Sequence, residues 1–366
     1  MPQSKRSHRL PPCVVHVVPG LEDITRDELL SRFSDLTILR VLQRFDERTS
    51  LLIFRFDGDP RDLLKLGTVE DVFALAAQMD AVPSDWQGTA AIRTCISGER
   101  TLDNAVSLAL QIRPRHRGKV TFRVIARKSG RHAFRRVDIQ RAAERGVLER
   151  FPAWRLVEDD AQIELWVHLV GALLVVGARL SDTTLRQRTY RRASLPASLK
   201  PTVARAMALV SEPRADDVFL DPMCGSGTIL IERALAARYR LLLGGDVDPD
   251  AVQAAMENVG PRYKPIELRL WDARQLPLED GSVSVIATNM PFGKQIGTAE
   301  DNRKLYPALL GEWTRILMDG GRMVLLTSER SLLRRVLSEH RDLTLAREIP
   351  VIVRGFPAAI HLIRRC

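Results

Sequence analysis

Four polar side chains each end an apolar run in the second half of the chain: Asp221, Asp246, Asp272 and Asn289. Apolar runs of this length alternate there with helical patterns, which predicts a parallel sheet with helices on both faces. Ligands of such sheets gather at the carboxyl ends of the strands. A single aspartate in this position more often caps a helix than binds a ligand. Four polar groups in this order instead predict one binding edge.

A glycine turn contains the first of these residues. The chain reads Asp221-Pro222-Met223-Cys224-Gly225-Ser226-Gly227-Thr228 between an apolar run, 218–220, and a helical pattern, 229–235. Two glycines two apart let a ligand approach the backbone, and free amides at the helix start can donate to it. A P-loop needs Lys and Ser/Thr after its last glycine, and a dinucleotide fingerprint needs Gly or Ala where Leu230 stands. S-adenosylmethionine (SAM) is the third ligand that suits such a turn.

The downstream residues favour SAM. Asp246 ends a second strand about twenty residues after Gly227, where a carboxylate can bind the two hydroxyls of a ribose. The same spacing serves NAD enzymes, so this acid alone does not choose the cofactor. Asp272 ends a third strand, and its carboxylate can accept a hydrogen bond from an adenine amino group.

The sequence Asn289-Met290-Pro291-Phe292 resembles the (Asn/Asp)-Pro-Pro-(Tyr/Phe) signature of methyltransferases that act on exocyclic amino groups of bases. An aryl amine donates its lone pair into the ring, so it must become pyramidal to attack a methyl group. The Asn289 oxygen and a backbone carbonyl near Met290-Pro291 can hold its two hydrogens, while Phe292 stacks on the base. The proline keeps the turn rigid. Because the sulfonium already makes the methyl group electrophilic, no metal or covalent nucleophile is required.

A longer resemblance indicates a family. Residues 221–232 match the signature of the nucleic-acid methyltransferase family that includes bacterial large-subunit rRNA guanosine methylases and THUMP-domain tRNA guanosine-N2 methyltransferases. The run 289–297, with Leu305-Tyr306-Pro307 behind it, is most similar to the subgroup that methylates the sixth nucleotide of the tRNA acceptor stem. Several of those relatives have Asp at the Asn289 position, and most of the wider family has Pro at Met290. Both residues here still supply acceptors, but the departure leaves the exact base open.

The resemblance implies a set of functional residues. We predict Asn289, Pro291 and Phe292 as catalytic residues. In the family a Leu-Pro-Ala-Ser-Leu segment folds over the methionine end of the cofactor, although a helix N-terminus capped by Ser198 explains the same letters here. The predicted SAM-binding residues are Ala197, Ser198, Leu199, Asp221, Cys224, Gly225, Ser226, Gly227, Thr228, Asp246, Val247, Asp272, Ala273 and Asn289. The predicted RNA-binding residues are Arg127, Lys128, Arg131, Arg135, Arg136 and Arg191.

The N-terminal half has an α+β pattern with a basic cluster. The segment Pro19-Gly20-Leu21-Glu22 resembles the start of a ferredoxin-like domain, and the stretch 122–134 resembles the core of a THUMP domain. Several cations on one face would bind RNA phosphates without reading bases, although solvated side chains pointing in different directions are the alternative. The clustered cations are Arg113, Arg115, Arg117, Lys119, Arg127, Lys128, Arg131, Arg135 and Arg136.

Composition agrees with an intracellular nucleic-acid enzyme. The 366 residues carry 55 Lys and Arg against 45 Asp and Glu, a formal net charge of +10 that favours polyanionic partners. The four cysteines are scattered without CxxC pairing, which argues against a zinc site and a disulfide framework. The start of the chain has no apolar h-region, and no apolar run is long enough to span a membrane. We therefore expect a cytoplasmic protein, a monomer, without a metal site or a membrane partner.

The predicted fold class is α/β, a Rossmann-like SAM-dependent methyltransferase domain preceded by an α+β RNA-binding region. We predict a ferredoxin-like domain over 1–85, a THUMP domain over 86–180, a linker that contributes to the SAM site over 181–200, and the methyltransferase domain over 201–366. The predicted activity is SAM-dependent methylation of a guanosine N2 amine in tRNA, at position 6 of the acceptor stem. The alternatives are guanosine methylation at another tRNA position or in rRNA, adenine-N6 methylation in DNA, and a non-catalytic RNA-binding protein that has kept the fold.

Overall fold

A computed structural model describes residues 10–46, 48–114, 118–196, 198–292 and 299–366. The chain forms two compact units, one of Met1–Val17 with Arg26–Leu185 and one of Val18–Thr25 with Arg186–Cys366. Within the described ranges, every helix is too short or too polar to span a membrane.

The first unit contains a sheet of eight described strands with helices packed on it. The strands are β1 (Cys13–Val17), β2 (Leu36–Leu42), β3 (Ser50–Phe56), β4 (Val69–Met79), β5 (Thr121–Ser129), β6 (Arg155–Leu156), β7 (Ile163–Val170) and β8 (Leu173–Arg179). The helices are α1 (Glu22–Arg32), which begins in the second unit, α2 (Gln87–Gly98), α3 (Thr101–Ile112), α4 (Arg136–Arg150) and the short α5 (Thr184–Gln187). The strand order is β2-β3-β1-β4-β8-β7-β5-β6.

Strand periodicity predicts most of this unit, and the pairing of β4 with β8 joins its two halves. The alternation of apolar residues in the sequence predicts strands over 13–18, 36–43, 50–56, 120–126, 163–170 and 173–178, and these are confirmed as β1, β2, β3, β5, β7 and β8. The helix that the sequence predicts over 60–66 is a 3-10 helix, Pro60–Lys65. The long strand β4 and the helices α2 and α3 are not among the predicted elements. Because Met79 pairs with Leu174, strands of the predicted ferredoxin-like and THUMP stretches belong to one continuous sheet.

The second unit contains the predicted alternation of strands and helices. Its strands are β9 (Val218–Asp221), β10 (Leu241–Asp246), β11 (Ile266–Leu270), β12 (Val283–Asn289), β13 (Leu317–Thr327), β14 (Leu343–Val353) and β15 (Phe356–Arg365). Its helices are α6 (Pro201–Val210), α7 (Thr228–Ala236), α8 (Pro249–Val259), α9 (Ala299–Ile316) and α10 (Arg330–Ser338). The strand order is β11-β10-β9-β12-β13-β15-β14.

The order of these strands reverses beside β9. From β9 the chain continues outward to β10 and β11, and β12 then pairs on the other side of β9. All these pairs are parallel, whereas β15 pairs antiparallel with β13 and with β14, so the expected parallel sheet ends in an antiparallel edge. A reversal of this kind leaves a crevice at the carboxyl ends of the two central strands. The sheet therefore offers a ligand site beside Asp221 and Asn289.

The segment 18–25 belongs with this second unit. The Ile352 amide of β14 donates to the Pro19 carbonyl at 3.1 Å. Sequence resemblance alone places Pro19-Gly20 at the start of the N-terminal domain. Its hydrogen bond runs instead to a strand more than three hundred residues later in the chain, which no local pattern reveals.

Candidate active site

The glycine turn lies between β9 and α7, as its residue types predict. Gly225 and Gly227 have φ angles of +50° and +77°, in the left-handed region that favours glycine. A Cβ atom on Gly225 would meet no atom within 4 Å, whereas one on Gly227 would lie 3.3 Å from the Cβ of Ala255. The space beside Gly225 is therefore open to a ligand, and Gly227 allows α8 to pack against the turn.

Asp246 is held against the glycine turn by backbone amides. Its Oδ2 accepts from the Gly225 amide at 2.9 Å, and its Oδ1 accepts from the Asp248 amide at 3.2 Å. The Cys224 amide also donates to the Gly245 carbonyl at 2.8 Å, which joins the turn to the end of β10. Each carboxylate oxygen keeps a lone pair for a further donor such as a ribose hydroxyl.

The two apolar residues predicted to contact the cofactor, Val247 and Ala273, differ in exposure. Val247, the residue after Asp246, has 71% of its surface exposed. Ala273 is buried, and its carbonyl accepts from the Trp313 indole nitrogen at 3.1 Å. Of these two predicted cofactor contacts, only Val247 presents its side chain to a ligand.

Asp221 is buried in the crevice with half of its carboxylate unsatisfied. Its Oδ1 accepts a long hydrogen bond, 3.4 Å, from the Met223 amide. Among the described residues its Oδ2 has no donor in hydrogen-bond geometry, although the nearby Thr288 side chain stabilises the charged carboxylate in part. Burial away from water raises the pKa of Asp221 to about 7. The adjacent Cys224 is also buried, and burial raises the pKa of its thiol well above 9, which makes it a poor nucleophile at neutral pH.

Asp272 is occupied by its neighbour Arg274. The Arg274 guanidinium and backbone amide donate to both carboxylate oxygens of Asp272, with Nε at 2.9 Å from Oδ1 and 3.0 Å from Oδ2. These hydrogen bonds lower the pKa of Asp272. Because 60% of the Arg274 side chain is exposed, it can swing out into solvent. Asp272 can accept from an adenine amino group once Arg274 has turned aside.

The loop after β12 presents one unsatisfied acceptor. The Asn289 Oδ1 atom is buried and has no hydrogen-bond partner in the part of the chain that the structure describes. The Met290 amide donates to the Leu326 carbonyl at 3.0 Å, which continues the pairing of β12 with β13 beyond the strand end. Leaving a buried acceptor unsatisfied costs free energy of roughly 1–3 kcal/mol, so a ligand that donates to the amide oxygen would be favoured.

The helix α9 decides which carbonyl of this loop is available. The Pro291 carbonyl accepts from the Asn302 side chain at 3.0 Å and from the Tyr306 hydroxyl at 2.9 Å. Both lone pairs of that oxygen are therefore in use. No described residue donates to the Met290 carbonyl. Of the two carbonyls that the sequence left open, Met290 is the one that can accept from a substrate.

A further unsatisfied atom lies along the same edge of the sheet. Ser328 Oγ, immediately after β13, is buried without a hydrogen-bond partner among the described residues. With Asp221 Oδ2 and Asn289 Oδ1 it lies at the carboxyl ends of three adjacent strands, β9, β12 and β13. Buried polar atoms in proteins nearly always have partners, so a concentration of exceptions indicates a site for a polar ligand. This arrangement fits the amino, carboxylate and hydroxyl groups of SAM.

Asn258, at the end of α8, ties the preceding linker to the glycine turn. Its Oδ1 accepts from the amides of Arg192 and Ala193 at 2.8 and 2.9 Å. Its Nδ2 donates to the carbonyls of Ala193 and Ser226, both at 3.0 Å. One buried amide side chain thus holds the linker beside the predicted cofactor turn.

The structure describes two of the three linker residues that were predicted to contact SAM. Ala197 lies outside the described residues, and Leu199 is buried. Ser198 Oγ lies 3.5 Å from Ser226 Oγ, next to the glycine turn. The helix α6 begins at Pro201 with Lys200 at its N-cap, so Ser198 does not cap it. The alternative interpretation of Ser198 as a helix cap is therefore wrong.

A buried ion network anchors the same linker to α7. Glu232 accepts at Oε1 from Arg188 Nε at 2.8 Å and from the Tyr190 hydroxyl at 2.9 Å. Arg205 Nε of α6 lies 3.0 Å from Glu232 Oε2. Glu232 is the last residue of the sequence signature that starts at Asp221. The helical pattern around it does not predict these partners. Its contacts indicate that it positions the linker rather than touching a ligand.

The predicted RNA-binding cations have different surroundings. Arg127 Nη1 donates to Asp46 Oδ2 at 3.1 Å and to Thr49 Oγ1 at 2.9 Å, and its guanidinium lies 5.1 Å from the centre of the Trp166 ring. Lys128, the next residue of β5, points to the opposite face of the sheet because side chains alternate along a strand. Arg127 is therefore engaged within the protein.

The other cations of this set are more accessible. Arg131, Arg135 and Arg136 are exposed, and Arg135 also pairs with Asp138 at 3.5 Å. Arg191, in the second unit, is half-buried and donates to Ser194 Oγ at 3.4 Å. Arg115 and Arg117 of the basic cluster, and the motif residues after Phe292 up to 298, lie outside the described residues.

The sequence predictions missed several residues that hold the site together. They are Asn258, Glu232, Asn302 and Tyr306, of which the first and third stand in no motif. A polar residue in an otherwise apolar helical pattern is the one available signal, and it does not name a partner. Hydrogen bonds between distant segments assign these roles.

Comparisons with known proteins agree with this geometry. Residues 188–351 match the UPF0020 family, described as an RMKL-like methyltransferase domain. The tRNA (guanine(6)-N(2))-methyltransferase THUMP3 of Bos taurus is 32% identical over 260 residues, which cover 67% of this chain and 51% of that protein. The tRNA (guanine(6)-N2)-methyltransferase of Thermus thermophilus is 30% identical over 226 residues, which cover 61% of this chain and 67% of that protein.

A solved structure shares the fold over nearly the whole length. The crystal structure of TrmN from Thermus thermophilus matches with a TM-score of 0.78 and 23% identity, covering 97% of this chain and 99% of that one. This likeness confirms the predicted α/β fold class. The chain spans about half the length of the mammalian relative, 51%.

Proposed function

Because the chain belongs to the UPF0020 family of RMKL-like methyltransferase domains, we propose that it methylates the N2 amine of a guanosine in tRNA with SAM as the methyl donor. The comparisons confirm the predicted methyltransferase family and an enzyme that uses SAM. The acceptor guanosine is proposed to be the sixth nucleotide of the acceptor stem, as in the enzymes named for that position. The proposed enzyme is a cytoplasmic monomer whose partner is tRNA.

One observation carries this proposal. The buried Asn289 Oδ1 has no donor among the described residues, and the carbonyl of Met290 beside it is also without one. Two acceptors on consecutive residues match the two hydrogens of an exocyclic amine. Held there, the amine turns its lone pair away from the base and toward the methyl donor, which lowers the barrier to transfer.

The proposed cofactor residues lie along the carboxyl edge of the sheet. When bound, SAM supplies a methyl group made electrophilic by its sulfonium. Asp246, fixed by the Gly225 amide, is proposed to accept from the ribose hydroxyls, and Val247 to cover one face of the adenine. Asp272 is proposed to bind the adenine amine after Arg274 has moved, and Asp221 to accept from the amino end of the methionine moiety.

The acceptor base requires a second set of contacts. A guanine inside a stem hides its amine, so it must leave the stack to reach the Asn289 loop. Phe292, half-buried at the end of the described loop, is proposed to stack on the flipped base. The methylated amine then loses one proton. A protonated aryl amine is a strong acid, so water suffices as the proton acceptor.

RNA binding is assigned to the first unit. The stretch 86–180, predicted as a THUMP domain, carries the exposed Arg131, Arg135 and Arg136. These cations would contact phosphates and orient the stem without reading its sequence. The amine motif permits adenine as well as guanine, so the choice of base rests on the relatives.

Nucleoside mass mapping of tRNA after incubation with isotope-labelled SAM tests the proposal. We expect label in N2-methylguanosine at the acceptor stem. Label in another nucleoside, or in rRNA alone, would contradict the substrate assignment. SAM binding measured by calorimetry without any methylated product would point instead to a non-catalytic RNA-binding protein.

The variant Asn289→Ala tests the amine acceptor directly. Losing one preorganised hydrogen bond should lower kcat by about 10²- to 10³-fold, with the affinity for SAM nearly unchanged. Asn289→Asp, which keeps an acceptor oxygen, is the matched control and should retain much more activity. If the Asn289→Ala enzyme keeps most of its rate, the substrate amine does not bind to Asn289.

A further inference from the structure

An exposed tryptophan stands next to the basic loop of the first unit. Trp86, which precedes α2, has 60% of its surface exposed, and no described ring or cation packs against it. Of the five tryptophans in the chain, Trp166, Trp271 and Trp313 are buried and Trp154 is half-buried. Trp86 is thus the one tryptophan of the chain whose ring is mostly exposed to solvent, where it is available to a partner.

The loop that carries Trp86 is fixed against the basic loop, residues 130–135. The Ala133 amide donates to the Ser84 carbonyl at 2.7 Å. The Val82 amide donates to the Ala172 carbonyl at 2.8 Å, and His132 Nε2 donates to the Gly171 carbonyl at 2.7 Å. These bonds join three loops at one end of the sheet, where β4, β5 and β7 finish.

The backbone that carries the indole is also held in place. The amide and the hydroxyl of Thr89 both donate to the Trp86 carbonyl, at 3.3 and 2.9 Å. Gly88 packs so closely on the Phe134 ring that a Cβ atom would lie 2.6 Å from it. A ring held on a fixed backbone loses little conformational entropy on binding, which favours a recognition role.

The charge around Trp86 suits an anionic partner. Arg131, Arg135 and Arg136 are exposed on or next to the basic loop. Of the nearby acids, Asp138 is paired with Arg135, and Asp85 accepts from the Gln87 amide at the start of α2. The combination of cations for phosphates and a bare aromatic face for a base is typical of surfaces that bind unpaired RNA.

We propose that Trp86 stacks on an unpaired base of the RNA whose phosphates contact the basic loop. This inference rests on the proposed function, because it takes the RNA substrate from it. The contact would place a single-stranded nucleotide on the first unit and would add affinity independent of base identity, since every base has a face that can stack.

Binding of a tRNA transcript to the full-length Trp86→Ala variant tests this inference. We expect an affinity about tenfold lower or weaker still, with the salt dependence of binding unchanged, because stacking releases no counterions. Arg131→Gln combined with Arg136→Gln should instead reduce the salt dependence. Trp86→Phe keeps a ring and should bind nearly as the wild type does, which guards against loss of folding as the cause.

Two further measurements complete the test. Trp154→Phe, whose half-buried ring stacks on Phe151 with centroids 4.2 Å apart, is the matched control and should leave affinity unchanged. A hairpin RNA with an unpaired extension should lose affinity in Trp86→Ala, whereas the blunt hairpin should not. Wild-type affinity of Trp86→Ala for tRNA and for the extended hairpin would overturn the inference and leave the indole to a protein partner. A wild-type chain that binds no tRNA would overturn the proposed function itself.

Discussion

The residues of the site differ in how ready they are to bind. Asp246 is already oriented by two backbone amides, whereas Asp272 is neutralised by Arg274 and Asp221 is desolvated. Asp246 therefore requires no rearrangement to bind a ribose. Asp272 requires the exposed Arg274 to release it, which costs little because exposed ion pairs contribute at most about 1 kcal/mol.

Replacing Asp246 tests the ribose assignment. Asp246→Ala should weaken SAM binding by roughly 1.5–3 kcal/mol, because the variant cannot form charge-assisted hydrogen bonds to the ribose hydroxyls. Calorimetric titration with SAM measures the change. Asp250→Ala removes an exposed carboxylate from the same loop-helix segment and should bind SAM as the wild type does. Equal affinities of the Asp246→Ala variant and the wild type would place the ribose elsewhere.

Asp221 predicts a pH dependence of stability in the protein without cofactor. Its pKa is about 7 in the folded protein, against about 3.9 for an aspartate in an unfolded chain. Between these values the folded state binds more protons, so the contribution of Asp221 is full below about pH 4 and is lost as the pH rises to 7. As the pH rises over this range, the free energy of unfolding of the wild type should therefore fall relative to that of Asp221→Asn. Denaturant titrations at several pH values measure it, and parallel curves would contradict the buried carboxylate.

At the scale of elements, α9 supports the loop that carries the proposed catalytic residues. Tyr306 is fully buried, donates to the Pro291 carbonyl and lies 2.7 Å from Thr327 Oγ1 at the end of β13. Asn302 reaches the same carbonyl from one turn earlier on the helix. The loop that follows β12 is thus held from α9 and from β13 together. These donors occupy the Pro291 carbonyl, so the Met290 carbonyl is the acceptor that we propose for the substrate amine.

Removing one hydroxyl tests this support. Tyr306→Phe keeps the ring in the core but removes the donor to Pro291, so kcat should fall by about two- to twelvefold, the equivalent of roughly 0.5–1.5 kcal/mol. The affinity for SAM should not change, because Tyr306 is not among the residues proposed to touch it. Tyr239→Phe, on a half-buried ring of the same unit, is the control. An unchanged kcat in Tyr306→Phe would show that the hydrogen bond from α9 to the loop does not contribute to the reaction.

Hydrogen bonds from residues distant in the chain also position the linker. Asn258 bonds it to the glycine turn, and the buried Glu232 bonds it to α7 through Arg188 and Tyr190. Breaking a buried ion pair on one side leaves an uncompensated charge, which costs about 3–5 kcal/mol. The linker is therefore part of the second unit rather than a free connection.

At the scale of the whole molecule, the net charge of +10 does not by itself assign the RNA surface. Many of the arginines are engaged within the protein, as Arg127 is by Asp46, Thr49 and the Trp166 ring. Accessible cations, rather than all cations, determine how many counterions RNA displaces. The structure thus divides one run of basic residues into an internal group and an external group.

The salt dependence of tRNA binding distinguishes the two groups. Arg127→Gln should lower the free energy of unfolding by about 1–2 kcal/mol, because it removes an ion pair and a cation–π interaction, and should leave the salt dependence unchanged. Arg131→Gln with Arg136→Gln should reduce the slope of log K against log salt by about one for each phosphate that is no longer neutralised. Thermal melts and binding at several salt concentrations report these effects. A reduced slope in Arg127→Gln alone would place that side chain on the RNA.

The sequence by itself determined the class of fold and which residues are proposed for the site. The glycine turn, the carboxylates at strand ends and the Asn289 motif are local features, because a strand, a turn and a helix start each depend on neighbouring residues. The amine chemistry followed from the types of those residues alone. The same local periods predicted most strands of both units, with the long β4 as an exception.

Only the tertiary structure decided which of these groups is available. It assigned the Pro291 carbonyl to α9, Asp272 to Arg274 and Arg127 to Asp46, and it joined β4 to β8 in one sheet. Each of these contacts except that of Arg274 links segments separated in the chain, and each depends on how whole elements pack. Periodicity in the sequence reports which face of an element is buried, but it does not report what lies against that face.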